Sequence, residues 1–245
     1  MTAFLRGMIK TAELKIFQKG FNYSQDGPGN RLVYHLSGCN YKCKWCSNPE
    51  GMEQINYKTL SVEELVKEAV SCKAMFFSGG GVTLTGGEPT LQFDAILEFY
   101  KALKENNINT CIETNGTSKR LFELLPYIDH LIMDVKHFNP TVHKEWTFVE
   151  NTLTLENFAR ICESGREALI RIPIINGFNS DPEGFVEFFK KHNTENIRFE
   201  LLPYHEYGKE KWTKPYEIES GFISKETLAS FNRLFSENGL KLIKT

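Results

Sequence analysis

From Arg31 onward the chain alternates between short runs rich in β-branched and aromatic residues and longer runs with apolar residues at helical spacing. This alternation restricts the fold more than any other feature. Strands are expected at Arg31–Ser37, Val82–Thr85, Ile108–Thr114, His130–Val135, Ala168–Pro173 and Ile197–Leu202, with Leu240–Ile243 as a short last one. Between them, Ser61-x-x-Glu64 forms a capping box that starts a helix. Pro89 opens a second helix, carrying Leu91, Phe93, Ile96, Leu97 and Tyr100. A short helix is expected at Lys119–Leu125 and two more before residue 168. Pro182–Lys191 has Phe185, Phe188 and Phe189 on one side, and Lys225–Asn238 is stopped by Gly239. Such an order predicts an α/β fold of parallel βαβ units wound right-handedly. Six or so units are too few for a closed eight-fold barrel, so an open or partial barrel with mostly parallel strands is expected. The chain reads as a single domain over 1–245, with 1–30 as an N-terminal extension and 31–245 as the partial barrel.

In folds of this kind the site gathers at the C-terminal ends of the strands. The chemically unusual residues lie there. A cysteine cluster follows the first strand, Gly86-Gly87-Glu88-Pro89 the second, and Glu113-Thr114-Asn115-Gly116 the third. Asp134-Val135-Lys136 ends the fourth, Asn176-Gly177 lies beyond the fifth, and Pro203-Tyr204-His205-Glu206 follows the sixth. Random scatter would put about half of these at the opposite rim.

Of six cysteines among 245 residues, three crowd into Cys39-Asn-Tyr-Lys-Cys43-Lys-Trp-Cys46. That C-x3-C-x2-C spacing is poor for disulfides and good for metal. Three thiolates in one tight loop suit three corners of an iron–sulfur cubane and leave one iron open. The alternative is a zinc knot completed by His35 or His205, since thiolates suit either metal. Cys72, Cys111 and Cys162 have no motif partners. The first fifteen residues have no sustained apolar stretch, so no signal peptide is read, and no run approaches the ~18 apolar residues of a membrane span. A cytoplasmic protein with reduced thiols is expected. With a net charge of −2, no basic excess points to nucleic acid or an anionic membrane.

With these motifs in order, the sequence resembles the radical S-adenosylmethionine superfamily, whose hallmark is the C-x3-C-x-aromatic-C triplet. More narrowly it is similar to the activating enzymes of glycyl radical enzymes, the pyruvate formate-lyase activating enzymes in particular. Asp26-Gly-Pro-Gly29-Asn-Arg31, Ser78-Gly-Gly-Gly81-Val-Thr83 and Thr85-Gly-Gly-Glu-Pro89 carry the resemblance, together with Thr114-Asn-Gly116, Asp134-Val-Lys136 and Leu201-Leu-Pro-Tyr-His205-Glu-Tyr-Gly208-Lys.

The resemblance implies a partial (β/α)6 barrel in which Cys39, Cys43 and Cys46 hold one 4Fe–4S cluster whose open iron binds S-adenosylmethionine. Reductive cleavage would give a 5′-deoxyadenosyl radical that takes a hydrogen from a glycine of a partner enzyme. Trp45, the Cys46 and Ser47 backbone, and His205 would lie by the nucleoside. Gly86 and Gly87 would admit the methionine moiety and Glu88 would receive its ammonium. Asp134, Val135 and Lys136 would be further contacts, with Lys136 on the carboxylate. Glu113, Thr114 and Asp134 would form a monovalent-cation site, although the pyruvate formate-lyase relative has Asp where this chain has Glu113. Asp26 and Arg171 would face the partner's C-terminal glycine loop, Arg171 otherwise pairing within the barrel. A flavodoxin or ferredoxin would supply electrons, and a monomer is expected.

Only Cys72 lies in the 40 positions from Cys46 to Gly86, which leaves no ferredoxin-like insert and implies one cluster. The Trp45-Cys-Ser-Asn-Pro-Glu50 run nevertheless looks like the larger activases, where the pyruvate formate-lyase type has Tyr-Cys-His-Asn. The competing functions are a radical enzyme acting on a small molecule, such as a deazaguanine synthase, and a zinc-stabilised binding module.

Overall fold

The computed structural model describes residues 12–243, so the reading of the first residues as carrying no signal peptide lies, over 1–11, outside the described residues. The strands are β1 (Glu13–Tyr23), β2 (Asn30–Leu36), β3 (Lys58–Ser61), β4 (Val82–Gly86), β5 (Thr110–Thr114), β6 (His130–Asp134), β7 (Ala168–Ile174), β8 (Ile197–Pro203) and β9 (Lys241–Leu242). The helices are α1 (Pro49–Glu53), α2 (Val62–Ser71), α3 (Phe93–Glu105), α4 (Leu121–Leu124), α5 (Pro140–Thr147), α6 (Thr152–Ser164), α7 (Pro182–Phe189) and α8 (Lys225–Glu237). They build one sheet in the order β3-β1-β2-β4-β5-β6-β7-β8-β9. From β2 to β9 every neighbour is parallel, while β1 is antiparallel to both β2 and β3. The expected parallel strands are all present, and the order runs in sequence from β4 to β9 as an open barrel requires.

Two antiparallel strands were not expected. In β1 the register shifts between Ile16 and Gln18. The bulge breaks the period-two pattern: Leu14 and Ile16 are buried, whereas Phe21 and Tyr23 are largely exposed. β3 is four residues long and only partly covered. The helix expected to open at Pro89 begins instead with a 3₁₀ turn, Pro89–Gln92, before α3. The capping box of α2 forms as read, with Glu64 N–H donating to Ser61 Oγ at 3.2 Å and Ser61 N–H donating to Glu64 Oε2 at 2.8 Å.

Strand alternation then separates core from site. Leu32, Tyr34 and Leu36 of β2, Val82 and Leu84 of β4, Leu131 and Met133 of β6, Ile170 and Ile172 of β7, and Phe199 and Leu201 of β8 join the main apolar core with α2, α3, α6, α7 and α8. The alternate positions Thr85, Glu113, Asp134, Arg171 and Glu200 therefore share the opposite face, the inside of the barrel. A smaller apolar cluster of Ile175, Phe178, Tyr204 and Ile218 packs with Trp45 and Trp146 at the C-terminal rim.

At the other end, two glycine runs meet backbone to backbone. A Cβ on Gly29 would stand 2.4 Å from Gly80 N, and one on Gly80 would stand 2.0 Å from Asn30 O. Arg31, fully buried, locks this end. Its Nε donates to Thr83 Oγ1 at 2.7 Å, Nη1 to Pro28 O at 3.0 Å and to Asn109 Oδ1 at 2.9 Å, and Nη2 to Val82 O at 2.9 Å.

Candidate active site

The loop after β2 carries the three clustered cysteines into the wall of a cavity of about 260 Å³ at the C-terminal rim. Of the expected ligand contacts, Trp45, Cys46, Ser47, Gly86, Gly87, Asp134, Lys136 and His205 all line it. Residues that the sequence reading did not assign join them, chiefly Tyr41, Asn115, Pro173 and Ile175. Asn115 lay within a quoted motif, and its Nδ2 donates to Asn40 Oδ1 at 2.8 Å, holding the cysteine loop against the β5 loop.

None of the three thiols is in a disulfide. Burial pushes the Cys39 thiol up to about 12, with the Glu88 carboxylate adding to it, and raises Cys43 and Cys46 as well. Buried thiols of this kind ionise only when a cationic centre compensates them, and iron does so. Among the described residues no three His, Cys, Asp or Glu side chains converge as a single metal ion needs. A cubane takes its three thiolates on three different irons. The donor set fits an iron–sulfur cluster.

Glu88 lies deeper than the expected contacts that line the cavity. It is fully buried and not in the cavity wall. Its carboxylate accepts from Thr90 N at 3.0 Å, Thr90 Oγ1 at 2.5 Å, Thr114 Oγ1 at 2.8 Å and Asn115 N at 2.7 Å. Three of those donors go to Oε1 and one to Oε2, so the carboxylate ties the β4 loop to the β5 loop and Oε2 keeps a lone pair. Val135 is likewise fully buried, with its N–H on Arg171 O at 3.0 Å, and does not line the cavity. Gly86 and Gly87 line it, yet their first constraint is packing. Gly86 has φ +112°, and a Cβ on Gly87 would meet Gly38 O at 2.0 Å. Their strand end holds the cysteine loop directly, through Gly87 N–H to Leu36 O at 2.8 Å and Glu88 N–H to Gly38 O at 2.7 Å.

The carboxylates expected around a cation are paired with the chain's own cations. Lys136 bonds Asp134, and Arg171 bonds Glu113 through Nη1 and Glu200 through Nε. Burial pulls the Lys136 ammonium down, but Asp134 and Cys43 more than offset it and hold it above its ordinary value. Burial pushes the Glu113 carboxyl up to about 7, Arg171 pulling against it and Asp26 adding repulsion. Thr85 Oγ1 donates to the second Glu113 oxygen at 2.7 Å.

Asp26 does not line the cavity. Asn22 Nδ2 donates to its side chain at 2.5 Å, and its carbonyl accepts from Thr83 Oγ1 at 2.7 Å. Arg171 Nη2 donates to the neighbouring Gln25 carbonyl, which ties this loop to the barrel. Trp45 packs 4.9 Å from Phe178 while lining the cavity, and exposed His205 stacks 4.3 Å from Tyr207. Among the described residues no helix is long and apolar enough to cross a membrane.

Comparison with known proteins agrees with this geometry. The Radical SAM superfamily profile matches residues 33–189. The chain is 33% identical over 231 residues to the pyruvate formate-lyase 1-activating enzyme of Escherichia coli K12, covering 89% of this chain and 93% of that one. It is 31% identical to the 4-hydroxyphenylacetate decarboxylase activating enzyme of Clostridioides difficile CD196, covering 88% and 90%. That second alignment needs 289 positions, so the relative carries segments that this chain lacks. A domain of the pyruvate-formate lyase-activating enzyme from Bacteroides vulgatus superposes with a TM-score of 0.58 at 27% identity, covering 67% of this chain and 98% of that one. The chain belongs to the radical SAM superfamily, within its family of glycyl-radical-enzyme activating enzymes.

Proposed function

We propose that this enzyme installs a glycyl radical in a partner enzyme, and that the partner is pyruvate formate-lyase. The observation that carries the reading is the set of three unbridged thiols, Cys43 buried and Cys39 and Cys46 partly so, in the wall of one cavity that Asp134 and Lys136 also line. Cys39, Cys43 and Cys46 hold one 4Fe–4S cluster. When bound, the cluster and S-adenosylmethionine supply a one-electron cleavage that yields a hydrogen-abstracting radical. Lys136, already fixed by Asp134, meets the ligand carboxylate. The Trp45 ring covers the nucleoside side and helps to exclude water, with His205 at the rim. Gly86 and Gly87 leave the strand end bare, so ligand can approach the backbone. The loop at Asp26 and the guanidinium of Arg171 face the partner's glycine loop.

The choice of pyruvate formate-lyase is supported by the alignment with the Escherichia coli relative, which takes 231 positions where the Clostridioides difficile one takes 289. A monomer in the reducing cytoplasm, served by a flavodoxin or ferredoxin, suits such chemistry. A monovalent cation at Glu113, Thr114 and Asp134 stays part of the reading, beside the ion pairs that these carboxylates make with Arg171 and Lys136. The test is anaerobic reconstitution, then electron paramagnetic resonance of the enzyme with S-adenosylmethionine, reductant and purified pyruvate formate-lyase. A glycyl doublet of about one spin per activated subunit is expected. A reconstituted cluster that gives no doublet with this lyase, while giving one with another glycyl radical enzyme, removes the partner and keeps the activity. No doublet with any of them removes both.

A further inference from the structure

A second hollow, of about 240 Å³, shares one lining residue with the ligand cavity, Met52. Its other walls include Lys42 and Lys44 of the cysteine loop, Phe148, Trp212 and Lys214. The hollow therefore approaches the cysteine loop without crossing the space assigned to the ligand.

Three features mark it as a protein-docking surface. The first is charge. Three lysines line it against two glutamates, in a chain whose net charge is −2. Lys42 is exposed and forms no ion pair among the described residues. Lys214 has 74% of its side chain exposed, and its partner Glu53, 3.5 Å away, only 12%. Glu217 stands 3.7 Å from Lys44. The second is Phe148, which closes helix α5 at φ +65° with 59% of its surface in solvent. A bulky residue is rare in that conformation, and it sets the Phe148 ring in solvent on the wall of the hollow. The third is Trp212, whose Nε1–H donates to the carbonyl oxygen of Cys46 at 3.0 Å. One hydrogen bond and the Cys46 main chain join the hollow to a cluster ligand. Gly208 supports that contact: a Cβ there would stand 2.5 Å from Ser47 Cα, so the segment carrying Trp212 lies directly on the cysteine loop.

We propose that this hollow docks an acidic one-electron carrier protein and is where electrons enter the enzyme. The proposal rests on reading Cys39, Cys43 and Cys46 as cluster ligands. One electron leaves the carrier, which is oxidised, and one reaches the iron–sulfur cluster, which is reduced; no bond forms or breaks and no proton moves. Positive charge around the hollow steers the carrier's acidic face and sets the encounter rate.

The experiment compares the wild-type holoenzyme with the Lys42→Glu/Lys214→Glu variant, using a purified flavodoxin as probe. Binding of oxidised flavodoxin is measured by calorimetry at low salt. Bleaching of the cluster is followed after mixing with reduced flavodoxin and, separately, with dithionite. Expected are affinity and second-order rate for flavodoxin each about tenfold lower in the variant, a flatter salt dependence, and unchanged iron content and dithionite reduction. Normal dithionite reduction with unchanged flavodoxin binding overturns the docking site alone. A wild-type protein whose iron dithionite cannot reduce overturns the cluster reading and the proposal with it. A dimer that the variant dissolves, with flavodoxin binding untouched, assigns the hollow to self-association and also overturns the proposal.

Discussion

The carboxylate of Glu88 sits where no solvent reaches it and receives hydrogen bonds from two loops at once. Burial raises its pKa, and the donors from Thr90, Asn115 and Thr114 pull it back. Glu88→Gln turns an amide N–H₂ toward those donors and leaves at least one unsatisfied, at a cost of about 2–3 kcal/mol. Denaturant unfolding of the cofactor-free protein is expected to show that loss as a lower midpoint at unchanged slope. A residue that served only the ligand would leave the midpoint where it is. Glu113 gives a pH-dependent counterpart. Its folded pKa of about 7 lies above the ordinary 4.5, so its contribution to stability is complete below about 4.5 and is lost as pH rises through 7. Melting curves between pH 5 and pH 8 are expected to fall less steeply for Glu113→Gln than for the wild type. At this scale the sequence disclosed which residues gather but not which are already engaged. The triplet Cys39, Cys43 and Cys46 is local in sequence, and its spacing alone announced metal. That Glu88 faces Asn115 and Arg171 faces Glu113 depends on separations of 27 and 58 residues, which no local pattern encodes.

Among the elements, the parallel strands were legible because each is a short apolar run closed by turn residues, and the ladder from β2 to β9 follows from them. β1 was not, because its bulge moves the apolar residues from one face to the other halfway along. The glycine runs 26–29 and 78–81 read as separate motifs, yet they form one structural unit, pressed together where only a bare backbone fits. Gly80→Ala puts a methyl group 2.0 Å from the Asn30 carbonyl oxygen and must push the two loops apart. A loss of about 1–3 kcal/mol is expected, with faster proteolysis in 24–31 as the local sign. Arg31→Lys would keep the charge and lose the fork that serves Thr83, Pro28, Asn109 and Val82 together.

For the whole molecule, the core lies on one side of the sheet and the chemistry on the other, so site and stability draw on alternate residues of the same strands. The protonated thiols of the bare protein make cluster loading a proton-releasing event. Iron retention is therefore expected to weaken as pH falls from 8 to 6, measured as iron per chain after gel filtration, and the loaded protein is expected to melt several degrees above the bare one. Arg171 connects these scales. Its guanidinium joins Glu113 in the cavity wall, Glu200 on the next strand and the Gln25 carbonyl of the loop beside Asp26. Lifting that loop frees one arm of the guanidinium and alters the charge balance at Glu113; changing the charge at Glu113 alters the hold on the loop. Linkage makes the exchange symmetric: by whatever factor a ligand in the cavity changes the affinity for a peptide under the loop, the peptide changes the affinity for the ligand by the same factor. Two binding isotherms measured in either order must then close the same thermodynamic square.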